Sequence, residues 1–164
     1  MGMGHRIRGR QAMKKRGKRF GTARDPHAAT RALVGVQQLD GSQTTDLSLA
    51  YRMALECLRT GNGVESHVHT LACASNIALV LAERGYGADS IDAIKLAQDG
   101  ILRCFSRHQR SGKYGLDGEA IQAITSLCSL HDAQIRMARQ KHIREAIAEV
   151  HKRMDAGDVL RVSA

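Results

Sequence analysis

His69 and Cys73 lie four residues apart, and Cys128 and His131 lie three apart. On a helix each pair shares a face. Imidazole and thiolate are ligands that zinc takes in tetrahedral sites, so two such pairs on neighbouring helices would make a Cys2His2 centre. The same residues have a plainer use. Each cysteine sits on an apolar stripe, and free cysteine is among the most buried residue types. His131 on such a stripe is most simply a core histidine whose ring nitrogens find partners. Cys128 with His131 could also pair a nucleophile with its base, but a reactive thiol needs an electropositive, partly exposed setting. No catalytic pattern accompanies them: GxSxG, HExxH and a GxGxxG with a flanking strand are all missing. The sequence therefore predicts no catalytic residue, no enzyme activity and no cofactor, with His69, Cys73, Cys128 and His131 as the only metal candidates.

The second chemistry on offer is charge. Of 25 Lys and Arg, nine fall in residues 1–24: Arg6, Arg8, Arg10, Lys14, Lys15, Arg16, Lys18, Arg19 and Arg24. That stretch holds no Asp or Glu, while the rest of the chain balances 16 basic against 16 acidic residues. A block of like charges repels itself and stays open until it meets an anionic partner. Gly2, Gly4, Gly9, Gly17 and Gly21 interrupt it, which raises the entropy cost of ordering. Residues 1–26 thus predict a flexible basic arm that contacts phosphates of nucleic acid or another polyanion. Gly17-Lys18 lacks the spacing of a phosphate-binding P-loop. Only Phe20 could stack on a base, so a stacking platform is not expected.

These residues must be carried by helices. One proline, two Phe, three Tyr and no Trp leave an aliphatic core of helix formers. Leu71–Ala82 is the longest mostly apolar run, and a helix apolar all round must be buried. It is too short to span a membrane and is flanked by charge. Residues 64–84 therefore predict a central helix, with Asn76 inside it hydrogen-bonded to backbone or to a neighbouring helix, since an unpaired buried amide is costly. Ahead of it, Asp46 to Thr60 predict a helix with Leu47, Tyr51, Ala54, Leu55 and Leu58 on one face. Thr44 or Thr45 would cap that helix and Gly61 would stop it. Asn62 with Glu65 reads as a capping box. Asp89 or Ser90 would cap a third helix, in which Gly100 costs about 1 kcal/mol or lets another backbone come close. Asp117 would cap a fourth.

From Ile121 to Met154 two apolar stripes follow each other with no Gly or Pro between, separated by Arg139-Gln140-Lys141-His142. They read either as one overhanging helix, which would make 140–156 a surface for self-association, or as a fourth helix and a fifth that folds back. The compact alternative is the more ordinary at this length. Arg136, Arg139, Lys141, Arg144, Lys152 and Arg153 give this region a basic face that Glu145, Glu149 and Asp155 dilute. No helix-turn-helix is expected, because its two short helices and glycine-containing turn are missing. The organisation predicted is an arm over 1–26, an all-α antiparallel bundle of four to five helices over 27–157, and a tail over 158–164. Ala32, Leu33, Val36 and Leu39 add a short helical stripe ahead of the bundle. No apolar region follows the basic N-terminal residues, so a cytoplasmic protein with reduced thiols is expected.

The runs Leu49–Gly63, His69-Thr70-Leu71-Ala72, Asn76–Gly85, Gly115-Leu116-Asp117-Gly118 and His131-Asp132 resemble small all-helical accessory proteins of proteobacterial prophages and integrative elements, some labelled Fis-like regulators. The resemblance covers about residues 45–155. It implies a mobile-element accessory protein and brings no catalytic residues. Together with the arm it leads to the expectation of an accessory nucleic-acid-binding or regulatory protein. The alternative is a protein-interaction module, an adaptor or inhibitor of a host protein with no nucleic-acid role.

Overall fold

The computed structural model describes residues 41–161, and within them the fold is all-helical. Helix α1 spans Gly41–Arg59, α2 Glu65–Glu83, α3 Ile91–Ser111, α4 Gly118–Met137 and α5 Gln140–Ala156, with a 3-10 turn at Ala88–Ser90 before α3. The most apolar helix, α2, packs against all four others, and the broadest helix–helix contact is α3 on α4. Leu71, Ala78, Leu81 and Ala82 of α2 are fully shielded from solvent. Ile77 and Leu79 are half-buried and pack against the core.

Local chemistry explains most of the ends. Gly61 takes a left-handed φ of 78°, which a side chain would disfavour, and turns the chain after α1. Asp117 caps α4, its carboxylate accepting from the Ala120 N–H at 2.8 Å. At Gly100 the helices meet so closely that a Cβ there would lie 2.8 Å from the Cβ of Ala120. The close approach, rather than a tolerated weakness, accounts for that glycine.

Three expected details differ. Helix α1 is already formed at Gly41, the first described residue and ahead of the proposed threonine caps, and the Thr45 hydroxyl donates back to the Gly41 carbonyl as an interior residue does. Helix α2 is entered from Val64 rather than Asn62: the His67 ring accepts the Val64 N–H at 3.2 Å, while Asn62 donates to the Thr60 hydroxyl. Ser90 precedes α3 without a side-chain capping bond.

The chain breaks between α4 and α5. Ala138 and Arg139 are extended, with ψ of 142° and 151°. The reason lies in burial. Folding back puts Ile143, Ala146 and Val150 against Val80, Leu81 and Ile135, with Ala138 sealed beneath them. A continuous helix would have left that stripe in water. Tyr86 hydrogen-bonds to His142, and Arg153, which also meets Glu149 within α5 at 3.0 Å, pairs with Glu83 at 2.6 Å, fixing α5 along α2. The overhang that suggested self-association through 140–156 is therefore not there.

Candidate nucleic-acid interface

The nine arm residues (Arg6, Arg8, Arg10, Lys14, Lys15, Arg16, Lys18, Arg19 and Arg24) lie outside the described residues, as does the 27–40 stripe. What the structure does place is the first described stretch of α1, from Gly41. The first turn of α1 lies beside the start of α5, where Gln140 Nε2 donates to Gln43 Oε1 at 3.4 Å. Four cationic side chains occupy that same corner: Arg136 closes α4, Arg139 stands in the break, and Lys141 and Arg144 open α5.

Two nearby carboxylates are engaged by other groups, one of them by Lys141 as well. Asp132 is buried, accepting from the Tyr51 hydroxyl and from Arg52. Glu145 faces Arg84 at 3.3 Å and Lys141 at 3.8 Å. Asp46, on α1, is the remaining exposed carboxylate near this end. Among the described residues, Arg136 and Arg139 are exposed and in no ion pair, and Arg144 reaches only the Gln140 side chain. The first turn of α5 carries no acidic residue and no side-chain cap. Its free N–H groups and positive helix end add to the cations instead of offsetting them. The sequence marked this face as basic but diluted. Folding alters the dilution at one point: Arg84, just past α2, reaches Glu145 from outside this face, while Lys141 still meets Glu145 and Arg153 meets Glu149 and Glu83.

At the far end of α3 the cations are spent internally. Arg103 pairs with Asp117 at 3.0 Å and Glu119 at 3.1 Å, and Arg107 donates to the Gly115 carbonyl. The Arg103 guanidinium, then the Ala120 N–H, hold the Asp117 carboxyl below its usual range. Arg103 and Arg107 are thus structural.

The four metal candidates do not meet. His69 and Cys73 are exposed on α2, lining a groove against Val150 and Met154 of α5. Cys128 is buried in the main core, and His131 is buried with its ring against Tyr51 and its Nδ1 near Gln134 Oε1. The first pair faces solvent and the second faces the core. Among the described residues no three His, Cys, Asp or Glu side chains are grouped to hold a metal ion. Nor do Cys128 and His131 make a nucleophile and base: burial pushes the Cys128 thiol up to about 11 and the His131 imidazole down to about 4.

Asn76 behaves as a buried amide should, with an unexpected partner. Its Nδ2 donates to the Leu160 carbonyl at 3.1 Å, and its Oδ1 accepts the Leu160 N–H at 3.2 Å and Gln98 Nε2 at 3.1 Å. The tail is thereby laid across α2, a role for Gln98 and Leu160 that no sequence pattern announced. Among the described residues no helix is long and apolar enough to cross a membrane. No family model, curated protein or solved structure matches the chain.

Proposed function

We propose that this protein is an accessory nucleic-acid-binding protein whose N-terminal arm and α4–α5 corner form one phosphate-contacting surface. The observation that carries the reading is the position of Gln43 against Gln140. It sets the start of the described chain beside the segment carrying Arg136, Arg139, Lys141 and Arg144, and the acid-free, nine-charge leader precedes that start in the sequence. A neutral body with Arg136, Arg139 and Arg144 exposed and outside ion pairs among the described residues supports a polyanion as the partner, since phosphate neutralisation supplies most sequence-independent affinity. The resemblance to prophage and integrative-element accessory proteins fits that role.

The test is binding of a labelled duplex by fluorescence anisotropy over a salt series. Neutralising about six phosphates gives a log–log slope near −5. Deleting residues 2–24 is expected to lower affinity about a hundredfold or more while leaving the far-UV circular dichroism of the bundle intact. Unchanged affinity in a folded deletion variant would end the proposal. It would move the reading to a protein-interaction module, for which the exposed Leu47, Leu49, Met53 and Met137 near the same end offer an apolar surface.

A further inference from the structure

Two cavities lie along α2, of about 280 and 600 Å³. Asn76 and Leu160 line both, so Leu160 is the plug between two parts of one groove walled by α2, α3 and α5. The way the plug is held is specific. A carboxamide has the donor and acceptor of a peptide unit. Asn76 uses them to engage the N–H and C=O of a single residue, as a neighbouring β-strand would. Gln98 holds the Asn76 oxygen in place and also reaches the Ser75 hydroxyl at 3.4 Å. Gln98, on the receptor side, thus orients the Asn76 amide toward its occupant.

The occupant is held more lightly. Gly157, with φ of 79°, releases the chain from α5, and the segment Asp158–Arg161 follows. Asp158 and Arg161 are exposed, Val159 and Leu160 only half-buried. Segments with few buried contacts open at a small fraction of the global unfolding free energy. Opening has a consequence for α2, however. It leaves the Asn76 amide, buried within the most apolar helix, without its main partner, and an unmet buried amide is costly. A groove built this way favours replacement of its occupant over vacancy.

We propose that this groove is a peptide-binding groove closed in cis by residues 158–161. The strap exchanges for an extended peptide segment of a partner protein carrying an aliphatic side chain where Leu160 sits. Recognition of the backbone comes from Asn76, and selection of the side chain from the walls of Leu79, Val80 and Val150. This surface lies apart from the basic corner and does not depend on nucleic-acid binding.

The experiment uses the full chain and a dye-labelled, end-capped peptide of residues 157–161. In the wild type the tethered strap competes at a high effective concentration. Leu160→Pro removes the N–H that Asn76 accepts, and so releases the strap. The peptide is expected to bind L160P at least about tenfold more tightly than wild type. A peptide N-methylated at the leucine lacks that N–H and is expected to bind about tenfold more weakly than its parent, one hydrogen bond's worth. Asn76→Leu should abolish binding. Circular dichroism checks that each variant is helical. If L160P is not, Leu160→Asp releases the strap through the side chain instead. Should a folded, strap-released variant ignore the peptide, or bind parent and N-methyl peptides equally, the groove is only a seam of the fold and the proposal is overturned.

Discussion

His131 is the residue at which the fold and pH meet. Its ring is buried, faces Tyr51 from α1 and touches Gln134 one turn along. Burial brings its pKa from 6.5 to about 4, with the Gln134 contact working the other way. The unfolded chain therefore takes up a proton below pH 6.5 that the folded chain refuses. Stability should fall as pH drops from about 6.5 to about 4 and then level, a loss of about 3 kcal/mol from this group. Urea midpoints at pH 7 and pH 4.5 measure it. In His131→Leu the difference between the two pH values should shrink, whatever the variant's absolute stability. Asp117 and Glu149, whose carboxyls Arg103 and Arg153 hold below their usual range, lose stabilisation as pH falls lower still, equally in both proteins.

The cysteines separate at the same scale. Cys73 is exposed, Cys57 half-buried, and Cys104 and Cys128 buried, and burial raises the thiols of Cys73, Cys104 and Cys128. A thiol reagent should modify Cys73 and Cys57 in the folded protein and reach Cys104 and Cys128 only on unfolding, as mass spectrometry over time would show. The pairing of His69 with Cys73 and Cys128 with His131 was legible in the sequence, because helical spacing fixes which residues share a face. Which face turns inward was not. That depends on where the α5 stripe lands on α2, a contact between residues some seventy positions apart.

Among elements, the α3–α4 contact is the least forgiving. A Cβ at Gly100 would sit 2.8 Å from the Cβ of Ala120 and 3.1 Å from its Cα, and neither atom is the free end of a flexible side chain. Gly100→Ala gains about 1 kcal/mol of helix propensity. Overpacking should cost about 1–3 kcal/mol, so the net change is expected to be destabilising. Adding Ala120→Gly should restore part of the loss, a coupling that a double-mutant cycle in urea reads directly. The alternating use of glycine and aspartate at helix ends made Gly61 and Asp117 readable in advance. The α4–α5 break was not readable from any local signal. Ala138 and Arg139 carry no turn chemistry; the break follows from Ile143, Ala146 and Val150 finding α2, a tertiary gain that overrides helix propensity. Ile143→Asp should therefore detach α5, seen as loss of hydrogen-exchange protection over 140–156 with 65–137 retained.

At the scale of the whole molecule the matter is where uncompensated charge ends up. Composition alone places the excess in the leader, whose residues lie outside the described ones. The body's share was hidden, because counting Glu145 and Glu149 along the sequence treats them as free to neutralise α5. In the fold Glu145 meets Arg84, just past α2, as well as Lys141, Glu149 meets Arg153, and among the described residues Arg136, Arg139 and Arg144 are exposed and in no ion pair. If arm and corner act on one polyanion, they should contribute separately to its salt dependence. Replacing Arg136, Arg139, Lys141 and Arg144 with alanine in the full chain should weaken duplex binding at every sequence alike and reduce the slope by about one for each phosphate that is no longer neutralised. Four alanines introduced away from the corner instead, at Lys95, Arg110, Lys113 and Lys152, alter net charge identically. They should leave the slope nearly unchanged if binding at the corner, rather than overall charge, sets it. Equal weakening by both sets would mean that the body acts only as a diffuse cation and that the arm alone touches the duplex.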